Sequence, residues 1–150
     1  MKPYSLFILL PSLLFALSGK VIKVSDGDTV TILDNSYTQH RIRLNGIDAP
    51  EKKQAYGNKA RLFLSDMIAG QMVSVQEHKK DRYGRIVGTI YFNNYDINEQ
   101  MVLNGYAWAY VKYDKKYKLH EIQAKKQGLG LWQDKNPIPP WEFRKLKIKR

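Results

Sequence analysis

GKVIKVSDGDTVTILD, residues 19–34, is the stretch that decides the fold. Apolar and polar side chains alternate on either side of Asp26-Gly27. Such alternation places one set of side chains on each face of a strand, and an Asp-Gly step between two such runs predicts an antiparallel hairpin. After Asn35-Ser36, QHRIRLN (39–45) alternates again, with Ile42 and Leu44 on one face and Arg41 and Arg43 on the other. These three runs predict a meander.

Working outward, Ala60, Phe63, Leu64, Met67 and Ile68 form an apolar stripe at helical spacing, and Gly70 is a natural stop. The spacing predicts a helix over 57–69 whose stripe packs into the core. MVSVQEH (72–78) and RIVGTIYF (85–92) read as a fourth and a fifth strand around the turn-like KKDRYG. NEQMVLNG (98–105) predicts a short helix with Asn98 as cap and Gly105 as terminator, and a last helix is expected over 116–127. The pattern is α+β: a small five-stranded barrel with about three helices, forming one domain over 19–135. The tail NPIPPWEFRKLKIKR (136–150) reads as a Pro-rich, basic, solvated extension, with a weak nucleic-acid contact as its sharper meaning.

Composition narrows the partners. The 150 residues carry a formal net charge of +11, which favours a polyanion (nucleic acid or an anionic membrane surface) over a neutral ligand. Residues 1–18 read as a cleavable signal peptide: Lys2, an apolar run over 6–17, then the small-x-small step Ala16-Leu17-Ser18. The run falls short of the ~20 residues of a membrane span, so cleavage after Ser18 and export to the periplasm or medium are expected. The absence of cysteine excludes thiol chemistry. His40, His78 and His120 are scattered without zinc-site spacing, and neither a phosphate-cradling glycine loop nor a G-x-S-x-G elbow is present.

The chemistry concentrates in RIRLNGIDAPE (41–51), with arginines at one end and acids at the other. Asp28 shares a face with the inward Val30 and Ile32, a costly place for a carboxylate without compensation. Asp48 follows the third strand, where Pro50 ends pairing and stiffens the corner. Antiparallel pairing can bring Asp28 and Asp48 to one rim. Together with a free carbonyl such as that of Ala49 they would form a hard-oxygen site suited to calcium, with magnesium left open by ligand type. Glu51 is close enough to face the same pocket and take a proton from water. Arg41 and Arg43 together, or one of them with Arg85, supply forked donors for phosphate oxygens.

DGDT (26–29), RLNGIDAPE (43–51) and DRYGR (81–85), in that order, resemble the staphylococcal nuclease or thermonuclease family over about residues 20–132. The resemblance implies an OB-fold barrel and a calcium-dependent phosphodiesterase acting on DNA and RNA and leaving 3′-phosphates. By position it implies Asp28, Asp48 and the Ala49 carbonyl as calcium ligands, and Glu51 as general base or orienter of water. Arg43 rather than Arg41 would bind the phosphate, and Arg85 would stabilise the leaving oxygen. Asp26 would sit behind the ligands.

The chain departs from the best-known member in three places. Ala49 stands for a threonine, the loop after Glu51 is shorter, and the alignment slips by one residue in AWAYVKY. Tyr83, Tyr110 and Tyr113 are candidates for stacking on a base, or ordinary half-buried tyrosines. No protein partner is implied, and a monomer without a stable membrane span is expected. The rival reading is a non-catalytic OB-type module for single strands; such a module needs basic and aromatic surface but not three acids.

Overall fold

The computed structural model describes residues 17–148. Five strands carry the architecture: β1 (Leu17–Asp26), β2 (Thr29–Leu33), β3 (Gln39–Leu44), β5 (Met72–Lys80) and β6 (Ile86–Phe92). Three two-residue strands, β4 (Ile47–Asp48), β7 (Tyr95–Asp96) and β8 (Trp108–Ala109), complete the set. The sheet runs β3-β2-β1-β5-β6-β7, and a parallel pairing of β3 with β6 closes it into a barrel. The expected OB-type α+β barrel is present. Register shifts between Val21 and Lys23, between Val24 and Asp26 and between Glu77 and Lys79 supply the local bends that a closed sheet of so few strands requires.

Alternation does what it predicts. Val30, Ile32, Ile42, Leu44, Val73, Val75 and Ile90 point inward, and Ala60, Leu64 and Ile68 of α1 (Gly57–Ile68) plug one end of the barrel. Arg41 stays exposed. Leu17 and Ser18 extend β1 against Val75 and Ser74, while the rest of the leader expected over 1–18 lies outside the described residues. Among the described residues, no helix is long and apolar enough to cross a membrane.

Three expectations need correction. First, the described residues form four α-helices: α1, α2 (Ile97–Leu103), α3 (Lys118–Gln127) and α4 (Pro140–Ile148). The tail taken as a solvated extension contributes the fourth, with Pro140 at its buried first turn, where the missing N–H is no loss. Second, α3 begins two residues later than its spacing suggested.

Third, Asn98 does not cap α2. Asp96 does, accepting a hydrogen bond from the Glu99 N–H. The fully buried Asn98 amide instead donates to the carbonyls of Asn45 and Gly88 and accepts from the Ile90 N–H. It thereby ties α2 to β6 and to the turn that launches β4. A buried amide is tolerated because its donors and acceptor are matched.

Candidate active site

The rim at the β1–β2 turn and the β3–β4 corner is built by short-range connections. Leu44 N–H donates to the Asp28 carbonyl, so the second strand's start and the third strand's end are laced together. Asp48 is then held from the other side, because β4 pairs with β8 through Ile47↔Ala109 and Asp48↔Trp108. Gly27 allows the approach. A Cβ there would stand 2.7 Å from the Ala49 methyl and 2.8 Å from that of Ala60, closer than carbon atoms tolerate. The acidic turn is therefore seated directly on the corner and on α1. Gly57 plays the same part for Glu51, since a side chain at 57 would strike the Glu51 carbonyl.

Asp28 and Asp48 are both buried, at 6% and 1% exposure. Asp28 Oδ2 accepts from the Ala49 N–H at 2.7 Å, and its Oδ1 from the Thr29 hydroxyl at 3.1 Å. Arg43 bridges the two acids, with Nη2 at 3.3 Å from both Asp28 Oδ2 and Asp48 Oδ1. Its Nη1 donates to the carbonyls of Leu44 and Ile47, which fixes the guanidinium plane.

The crowding leaves an electrostatic signature. Burial, then the neighbouring Asp28 charge, pushes the Asp26 carboxyl up to about 7. Burial also raises Asp48, against the hydrogen bond that it accepts from Arg144. Carboxylates at such cost are the mark of a working site more than of a scaffold.

These groups fit a metal. A guanidinium poised equally between two buried carboxylates shows that the spot demands positive charge. Asp28, Asp48 and the neighbouring Ala49 carbonyl form an all-oxygen set of the kind that hard divalent cations prefer. Among the described residues, no three His, Cys, Asp or Glu side chains gather into a metal cluster, so side chains alone would not complete a metal's coordination there.

Beside the acids lies a cavity of about 430 Å³ that Arg43 shares with Arg85, Tyr83, Tyr110 and Tyr113. The structure thus gathers both expected arginines and all three expected tyrosines around one space. Arg85 is steadied by Asp81, which accepts from its Nε at 2.7 Å and from its N–H at 3.0 Å. Tyr83 and Tyr113 are 63% and 60% exposed, whereas Tyr110 is enclosed by Tyr113 edge-on and by Trp141 stacked parallel at 5.3 Å. Both exposed rings already carry cations, Arg82 and Arg85 over Tyr83 and Lys79 and Lys112 over Tyr113, so a base stacking there would have to displace a side chain. The three histidines do other work: His40 pairs with Asp34, His78 with the Thr89 hydroxyl and His120 with Glu99.

Sequence reasoning missed Arg144. From α4 its Nη2 donates to Asp48 Oδ2 at 2.7 Å, and its Nη1 to Asp48 Oδ1 at 3.2 Å and to Glu51 Oε1 at 2.8 Å. The bond to Asp48, with Glu51 adding to it, raises the guanidinium pKa further. The available signal was the aromatic pair Trp141 and Phe143 set behind Pro140, since aromatic residues in a basic tail mark a segment that packs.

Comparison with known proteins gives a consistent picture. The family model for staphylococcal nuclease homologues matches residues 41–134. An uncharacterized endonuclease of Escherichia coli is 42% identical over 149 residues, covering 97% of each chain. A micrococcal nuclease of Shigella flexneri is 41% identical over 85% of this chain and 80% of its own. The staphylococcal-like nuclease CAN1 of Arabidopsis thaliana is 47% identical over 71% of this chain and 34% of its own.

Proposed function

The chain belongs to the staphylococcal nuclease family, and from that premise we propose that it is an exported calcium-dependent nuclease that hydrolyses DNA and RNA with little sequence specificity, leaving 3′-phosphates. The observation that carries this reading is Arg43 bridging buried Asp28 and Asp48 while lining the cavity it shares with Arg85, with Glu51 tied to Asp48 through Arg144.

Arg43 is pinned by two carbonyls before any substrate arrives, so it can oppose charge growing on the phosphate without reorganising. Glu51, about one-third exposed, accepts a proton from the attacking water. That water attacks phosphorus in line, the bond from phosphorus to the 5′-oxygen breaks, and the 5′-oxygen leaves as a hydroxyl after taking a proton from solvent. Arg85 faces the same cavity and balances charge on the departing oxygen. A calcium ion held by Asp28, Asp48 and the Ala49 carbonyl would add positive charge against the phosphate oxygens. Tyr83 and Tyr113, exposed and flanked by Arg82, Arg85, Lys79 and Lys112, offer aromatic and cationic contacts without base-edge readout, consistent with low specificity. The net charge draws the polyanion in, with affinity falling as salt rises. The leader-like segment over 1–18 supports export, and the intact mass of the exported protein checks it.

The test is cleavage of single-stranded DNA with calcium and with chelator, alongside Glu51→Ser. Calcium-dependent cutting that falls by at least 10² in the variant, with DNA binding retained, is the expected result. Binding without cutting under any divalent ion would leave the OB-type binder.

A further inference from the structure

Arg144 does more than decorate the rim. Asp48 has both carboxylate oxygens engaged by its guanidinium, one of them also by Arg43, and Glu51 is held by the same group. A divalent cation taking Asp48 as a ligand needs oxygens that are already in use. It would also sit within a few ångströms of a second fixed positive charge, which repels it. Arg144 and the cation therefore compete for one place.

The way α4 is attached makes the exchange feasible. It is held by the Arg144 contacts, by Trp141 packed on Tyr110 and edge-on to Trp108, and by Gln54, which donates to the Ile138 carbonyl. Gln54 also accepts from the Glu51 N–H, so the strap and the base loop are joined. Lys145, Leu146, Lys147 and Ile148 lie exposed, and Arg144 itself keeps 40% of its side chain open to solvent. Apart from its buried Pro140 and the half-buried Trp141 and Phe143, α4 is exposed along its second half, and such a segment opens locally at low cost.

We propose that Arg144 and a divalent cation are alternative occupants of the acidic rim: the arginine neutralises Asp48 and Glu51 in the metal-free protein, and metal binding displaces it and loosens α4. The proposal rests on the reading that Asp28 and Asp48 hold the metal. Linkage makes the effect reciprocal, so docked α4 weakens cation binding by the factor by which the cation weakens α4 docking.

The experiment uses the full chain with calcium chloride alone and no substrate. Hydrogen exchange over 140–148 and calorimetric calcium affinity are measured for the wild type, Arg144→Gln and Asp48→Asn. Expected are faster exchange over 140–148 in the wild type on adding calcium, and calcium binding on the order of tenfold tighter in Arg144→Gln. The variant's α4 exchanges fast with or without the ion. If wild-type exchange over 140–148 is unchanged at saturating calcium, the proposal is overturned while the metal reading stands, and Arg144 is a fixed clamp. If neither wild type nor Arg144→Gln binds calcium, or Asp48→Asn binds as well as wild type, the metal reading falls and takes the proposal with it. The wild-type exchange result decides the matter alone should Arg144→Gln fail to fold.

Discussion

At the far end of β2, Asp34 accepts hydrogen bonds from the N–H groups of Ser36 and Thr38, each at 2.9 Å, and pairs with His40 at 2.7 Å. At the near end, Asp26 accepts from the Asp28 N–H and faces a second carboxylate. The same residue type closes a turn at both ends of one strand, with opposite electrostatic outcomes. The His40 hydrogen bond, with the backbone donors, holds Asp34 below the usual carboxylate range, whereas burial beside Asp28 lifts Asp26 to about 7. One turn is arranged for folding. The other accumulates negative charge that folding alone would avoid, and the surplus is what a cation and a phosphate-binding arginine can use.

Breaking the functional end should have the largest effect. Arg43→Lys keeps one charge but loses the fork that spans Asp28, Asp48 and two carbonyls, so cleavage should fall by about 10²–10³, or roughly 3–4 kcal/mol. Single-turnover rates on single-stranded DNA measure it. An undiminished rate would mean that the crowded turn serves something other than this chemistry.

Asp26→Asn sharpens the contrast on stability. In the folded chain Asp26 keeps a proton to about pH 7 that the unfolded chain releases near the ordinary carboxylate value, so wild-type stability declines as pH rises between the two. The amide removes that decline. The variant should be more stable than wild type at pH 8, by up to about 4 kcal/mol (about 1.4 kcal/mol per pH unit of the decline), and equal to it near pH 3. Urea unfolding in chelator at the two pH values checks the sign.

Asp34→Asn should give the smallest change, in the opposite direction. With its folded pKa lowered, Asp34 stabilises above the ordinary carboxylate value, and that contribution is lost as pH falls through the folded pKa. The variant should be slightly less stable than wild type at neutral pH and indistinguishable in acid, as thermal melts between pH 2 and 7 would record. A loss that persisted in acid would show that the turn depends on shape rather than on charge.

The barrel and the acidic half of the site were legible because their signals are local. Period-two alternation, an Asp-Gly turn and a helical stripe each announce themselves within a few residues, and DGDT and RLNGIDAPE sit on those elements. The misreadings share one cause. An asparagine at the start of a helix has the same local pattern whether its amide caps that helix or, as in Asn98, satisfies backbone groups on β6 and the Asn45 turn. A basic, Pro-rich tail likewise looks solvated until Arg144 is seen to meet a glutamate 93 residues earlier in the chain. Composition records the charge but not its partner.

The parallel pairing of β3 with β6 has a consequence in time. Asp26, Asp28 and Arg43 belong to one local meander, able to form from neighbouring chain, whereas Asp48 on β4 is held by β8 from much later in the chain. Arg85 precedes β6, whose Ile86 finds Ile42 only after α1 and β5 have been wrapped in between. Contacts that close long loops form late and slowly. A chain part-way to its native state therefore owns Asp26, Asp28 and Arg43 without Arg85 or the pairing that holds Asp48. A rim whose parts come from both ends of the chain is complete only when folding is done.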